Sequence, residues 1–210
     1  MEPQAIAALF TRSDGSYLFA RWGRAIAPVV FGVEDATLAV VKGAIEAVVA
    51  LAGHEMGAVD AELGANLMVF FLRDWAELQA VRGLDVLIPE LGPLCERLIA
   101  MDANQYRLFR YDAVGAIKAA FVFLRMDPAL AAMPAEDLAL AQAVQVICLW
   151  SDRAFVGSPP LVRVGGRAVL RPDIAAVIRA GYDPVLPVVA RDASHALRLA
   201  ARVARDGLAG

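Results

Sequence analysis

Histidine and cysteine are scarce in this chain of 210 residues, with two of each. Cys95 and Cys148 lie far apart inside apolar segments, a pattern of reduced core thiols in a cytosolic protein rather than of a disulfide scaffold. A histidine-based catalytic site would need His54 or His195 to meet a nucleophile such as Ser151 or Cys148, and no spacing predicts that meeting. Long apolar runs are missing too. The longest stretch without charge, residues 138–151, is shorter than the ~18 to 20 residues that cross a bilayer, so no membrane span is expected. Glu2 and Pro3 stand where a signal peptide carries positive charge, so secretion is not expected. Neither Gly157-Ser158 nor Gly165-Gly166 has the spacing of a phosphate-binding loop, which removes support for a nucleotide enzyme.

What is abundant is small apolar side chains. The apolar fraction is 59%, much of it Ala and Val, which reads as dense burial in one domain over residues 1–210, with a homodimer interface as a further outlet. Charge is uneven: residues 1–162 carry 12 basic and 19 acidic side chains, and residues 163–210 carry 8 Arg and 4 Asp. The arginines Arg198, Arg202 and Arg205 are therefore a candidate surface for an anionic partner, or simply solvated charges on a terminal helix. The acidic balance argues against nucleic acid as that partner.

The pattern along the chain predicts a mixed α/β fold. A turn at Ser13-Asp14-Gly15-Ser16 precedes extended runs over 17–22 and 26–33, read as a hairpin. Leu38, Val41, Ile45, Val48 and Ala52 recur at helical spacing before Gly53, giving a helix over 35–52. Residues 66–72 form a continuously apolar strand, 75–82 a helix, and 88–93 a Pro/Gly-punctuated stretch. Strands at 106–111 and 116–126 form a second hairpin. Arg107 and Arg110, interleaved with Tyr106, Phe109 and Tyr111, are consistent with a half-exposed strand or a stacking platform. Acids at 136–137 open a nearly all-apolar helix over 138–150, and a loop or small hairpin at 157–166 follows. A short helix from Arg171 to about Ala180, a turn at 181–184 and an amphipathic helix over 192–206 complete the chain, the last expected to dock on the sheet. The sheet is expected to be largely antiparallel over two main helices. Residues 163–210 form a C-terminal helical extension.

Two of these segments resemble landmarks of the zincin metallopeptidases, in particular the matrixin-like metzincins. The family's zinc helix reads H-E-x-x-H-x-x-G-L-x-H followed by Ser or Asp, and the corresponding stretch here runs from Ala141 to Asp152. Leu170-Arg171-Pro172-Asp173-Ile174-Ala175-Ala176 with Gly181-Tyr182-Asp183 is similar to the family's later Leu-x-Pro-x-Asp-Ile-Ala-Ala segment and Tyr-Gly turn. A closer likeness is to an uncharacterised bacterial zincin-like family with Glu-Glu-x-x-Gln on this helix, matched by Gln145 and Tyr182-Asp183-Pro184. Arg21-Trp22, the strand over 28–30 and Ala65-Asn66 extend that likeness over most of the chain.

The resemblance implies a zincin-like fold whose active site is lost. Zinc peptidases use two imidazoles one helical turn apart, a third ligand beyond the turn, and a Glu as general base for the metal-bound water. The ligand positions carried over are Ala141, Gln145 and Ser151, and the base position is Gln142. A methyl, two neutral amides and a hydroxyl do not make that donor set, so no metal and no cofactor is expected. The candidate vestigial cleft comprises Gln142, Gln145, Ser151, Asp152 and Tyr182. Gln142 and Gln145 on an apolar helix must either pair with other polar groups or face such a cleft, because an unpaired buried amide costs ~1 to 3 kcal/mol. The leading expectation is a non-catalytic binding or assembly module for a protein or peptide partner. The alternatives are a hydrolase with a relocated site at Ser151 and Asp152, and a regulator working through the C-terminal arginines.

Overall fold

A computed structural model of the chain describes residues 1–59 and 64–208. In order these form α1 (Pro3–Phe10), β1 (Phe19–Ala20), β2 (Pro28–Phe31), α2 (Asp35–Leu51), β3 (Leu67–Leu72), a 3-10 helix (Trp75–Ala80), α3 (Leu84–Leu87) and α4 (Leu91–Ala100). They continue as β4 (Gln105–Tyr111), β5 (Ile117–Arg125), α5 (Pro128–Ala131), α6 (Ala135–Ile147), β6 (Leu161–Val164), β7 (Arg167–Leu170), α7 (Pro172–Gly181), β8 (Val189–Ala190) and α8 (Ser194–Leu208). The protein is mixed α/β, and no helix among the described residues is long and apolar enough to cross a membrane.

The main sheet has the order β2-β3-β5-β4. Its first two pairings are parallel, so the expectation of a largely antiparallel sheet is corrected here. The cause is connection length. α2 carries the chain back from the end of β2 to the start of β3, and such a helical crossover makes neighbouring strands parallel. Gly32, at φ 79°, ends β2 so close to β3 that a Cβ there would lie 2.1 Å from the Phe71 carbonyl oxygen. Only β4, joined to β5 by a tight turn, runs antiparallel, and it forms the sheet's edge.

Side chains alternate across the sheet and build two cores. Leu67, Val69, Val122 and Leu124 pack on α2 and α6, through Val41, Ile45 and Val48 on the first helix and Ala143, Val144 and Ile147 on the second. Phe70, Leu72, Phe121 and Phe123 pack on the opposite side against Trp75, Leu78, Ile88, Leu94 and Cys95. Burial on both faces explains why β3 reads as an unbroken apolar run. Both cysteines are buried and free.

Several expected elements take other partners. The runs at 17–22 and 26–33 do not pair as a hairpin: β1 joins β8, while β2 joins the main sheet. The expected helix over 75–82 is a 3-10 turn ending at Ala80, and the punctuated stretch at 88–93 opens α4, with Pro93 in its first turn, where a missing N–H costs nothing. The last helix docks on α1 and α7 rather than on the sheet.

That docking buries His195, which is 3% exposed. Its Nδ1 lies 3.0 Å from the Tyr17 hydroxyl and its ring centroid 4.6 Å from that of Phe19. Burial, with a smaller contribution from Arg198, lowers its pKa to about 4. The folded state thus prefers the neutral imidazole, and the stability this gives is present above about pH 6.5 and lost as pH falls toward 4. Urea unfolding across that window should show wild type losing roughly 3 kcal/mol relative to His195→Phe. Parallel curves for the two proteins would assign the acid sensitivity to other groups.

Candidate functional site

Helix α6 is fixed by its C-terminal end. The last four carbonyls of a helix have no partner within it. Here Trp150 Nε1 donates to the Val144 carbonyl at 2.8 Å, Trp22 Nε1 to Val146 at 2.8 Å, and the Tyr182 hydroxyl to Ile147 at 2.7 Å. Beyond the helix, Leu149 N–H donates to the Ala20 carbonyl and Ser151 N–H to that of Leu9. The segment after α6 is thereby laid against β1 and α1, leaving a cleft between it and β4.

The cleft has a volume of about 1010 Å³. Gln105, Arg107 and Phe109 of β4, Arg12 to Asp14 and Leu149 to Asp152 line it. A second cavity of about 360 Å³ lies between α6 and the β6–β7 hairpin, lined by Ala141 and Gln142, and Gln105, Gln145 and Phe155 border both. Gln142 and Gln145 therefore do both things the sequence left open. They line the cavities, and they pair: Gln142 Nε2 donates to Gln105 Oε1 at 2.9 Å, and Arg107 Nη2 donates to Gln145 Oε1 and, at 3.3 Å, to Gln105 Oε1.

Ser151 and Asp152 reach the larger cleft at its rim. Ser151 Oγ donates to the Ala8 carbonyl at 3.3 Å, and Asp152 accepts the Ser13 N–H at 2.9 Å. Hydrogen bonding by Ser13 holds the Asp152 carboxyl below the usual carboxylate range. Neither histidine is among the residues lining the cleft: His54 Nε2 sits 2.8 Å from the Arg24 carbonyl, and His195 lies under α8. Among the described residues no three His, Cys, Asp or Glu side chains gather as a metal site would require.

Tyr182 lies outside the cleft, a correction to its expected place. It is 8% exposed, and besides donating to Ile147 its hydroxyl accepts the Trp22 N–H at 3.3 Å. The Arg21 guanidinium stands 5.2 Å above its ring. The Tyr182-Asp183-Pro184 turn is thus a clamp. Asp183 takes Arg202 at 3.2 Å and Arg205 at 3.4 Å from α8, so two of the three arginines expected to meet an anionic partner already face an internal carboxylate. Arg198 is exposed.

The sequence singled out Arg107 as part of a half-exposed strand or stacking platform and not as a residue of this cleft. Strand alternation turns Gln105, Arg107 and Phe109 toward α6 and sends Tyr106 and Leu108 to the opposite core, so the interleaved aromatic platform does not assemble on one face. Arg107 has no carboxylate within ion-pair distance among the described residues, and burial lowers its pKa to about 10. Its Nε and Gln142 Oε1 are both buried without a hydrogen-bond partner.

The clamp role of Tyr182 is open to a direct check. Tyr182→Phe strands the Ile147 carbonyl and the Trp22 N–H, so denaturant unfolding should register a loss of ~1 to 3 kcal/mol. An unchanged midpoint would mean these bonds hold nothing together. The chain matches no family model, no curated protein and no solved structure.

Proposed function

We propose that this protein is a non-catalytic binding module on a zincin-like frame, which holds an extended peptide in the cleft between β4 and the segment that follows α6. The observation carrying this reading is the open edge of β4 beside that cleft. Arg125 N–H donates to the Asn104 carbonyl and Asp112 N–H to that of Ala116. Since an antiparallel ladder alternates bonded and outward-facing residues, the backbone groups of Gln105, Arg107 and Phe109 turn to the open side. An extended peptide adding to that edge satisfies them, the usual mode of strand addition.

Two further observations support the frame. Trp22 and Tyr182, which carried the family resemblance, converge on the end of α6 although they are far apart in sequence. The positions corresponding to the metal ligands and base, Ala141, Gln142, Gln145 and Ser151, all border the two cavities. Their side chains offer hydrogen bonds and a methyl, which suits binding and not metal-assisted hydrolysis.

Two measurements test this reading. Elemental analysis of protein purified without chelator should give zinc far below one per chain, and stoichiometric zinc would overturn the non-catalytic assignment. Hydrogen exchange of the Gln105, Arg107 and Phe109 amides should slow when a pool of degenerate decapeptides is added. Exchange unaltered at millimolar peptide would remove strand addition as the binding mode.

A further inference from the structure

The edge strand β4 is bordered by open space on both of its faces. On one face lies the large cleft, lined by Arg107 and Phe109. On the other a groove of about 370 Å³ runs between the strand and α4, lined by Leu108, Arg110 and Arg97. Tyr106 and Leu108 border both spaces, so the two meet along the strand itself. A strand added beside β4 sends successive side chains to opposite faces, each about 5 Å from the β4 side chain it pairs with. It therefore enters both spaces at once. Each of them holds arginine without a carboxylate partner: among the described residues Arg97, Arg107 and Arg110 form no ion pair. Arg107 is held by the amide oxygens of Gln105 and Gln145, Arg110 donates to the Leu87 carbonyl at 3.2 Å, and Arg97 lies 5.7 Å over the Tyr106 ring.

Resting on the strand-addition reading above, we infer that the added peptide is acidic with a set spacing: one carboxylate side chain opposite Arg107, a second opposite Arg110, and two apolar residues between them. Positions 107 and 110 are an odd number of residues apart, so the two arginines stand on opposite faces. The register between them is unbroken, because the irregularity of β4 comes after Arg110. The two intervening residues fall opposite Leu108, beside Ile88 and Leu94 of the groove, and opposite Phe109, beside Trp150 and Phe155 of the cleft. Acid, two apolar residues and acid reads the same in both directions, so the pattern holds for a parallel or an antiparallel guest. A guanidinium fork matches a carboxylate, and opposite charges across paired strands attract. Asp14 and Asp152 in the cleft are occupied by Ser16 and Ser13, and Glu90 borders the groove. These wall carboxylates repel a polyanion such as single-stranded nucleic acid, whose charge is continuous along its length.

The experiment compares three fluorescently labelled decapeptide pools, blocked at both ends, on the full wild-type chain. The first fixes acid-apolar-apolar-acid at its centre, the second replaces both acids by Gln, and the third rearranges the same residues as acid-apolar-acid-apolar, which puts both acids on one face. The first pool should bind roughly tenfold more tightly than the second, with the third between them. Arg110→Gln, a change on a half-exposed side chain, should weaken the first pool roughly threefold and leave the second unchanged. Equal binding of the first and second pools overturns the acidic pattern while leaving strand addition standing. Equal binding of the first and third overturns the two-faced spacing. A labelled single-stranded oligonucleotide that binds as tightly as the first pool assigns the arginines to a polyanion and overturns the peptide as their partner. Binding by none of the peptide pools overturns the peptide reading and this inference with it.

Discussion

The carbonyl end of α6 is where the chain's distant parts are tied together. Val144, Val146 and Ile147 offer carbonyl oxygens that the helix cannot use, and Trp150, Trp22 and Tyr182 supply the donors. Leaving such a group buried and unpaired costs ~1 to 3 kcal/mol, so each aromatic is held to one place as firmly as it holds the helix. Trp22 follows β1, and Tyr182 closes α7. One helix end thus fixes the N-terminal strand and the C-terminal helices together, and α8 follows because Asp183, next to Tyr182, holds Arg202 and Arg205.

A cleft follows from that anchoring combined with the sheet's topology. The helical crossover between β2 and β3 and the longer connection to β5 make those strands parallel, and only the β4–β5 hairpin reverses direction. The reversed strand falls at the edge nearest α6, so its inward side chains meet the helix while its backbone faces open space. Were β4 an interior strand, Gln105 and Arg107 would be sealed beneath a neighbour. At the edge, the same residues become the wall of a cavity.

The separate elements were legible because local rules set them. Helical spacing defined α2, the run of apolar residues defined β3, and turn chemistry defined the β4–β5 hairpin. Partners were not legible. Tyr17 to Trp22 and Ile26 to Val33 both looked extended, but only the parallel crossover decides that they enter different sheets. At the site, the two glutamines stood out because amides are rare on an apolar helix, and Ser151 and Asp152 followed by position. Tyr182 was misplaced because a motif gives order along the chain and not the side of the helix from which a residue approaches. Arg107 was read as a strand or stacking residue and not as a cleft residue for a related reason: in a strand alternating Arg with aromatics, nothing local says which face meets a second polar stripe.

That polar stripe is the least economical part of the fold. Arg107, Gln105, Gln142 and Gln145 occupy a layer that leucines could fill, and removing a guanidinium from water without a counter-charge is unfavourable. The amide oxygens of Gln105 and Gln145 offset part of this through dipoles, enough to hold the arginine in place but not to neutralise it. A structural role alone does not need the charge, because Gln or Met at position 107 would span the same gap between β4 and α6 at lower desolvation cost. The network is nearly satisfied among its own members, and only Arg107 Nε and Gln142 Oε1 within it stay buried without a partner.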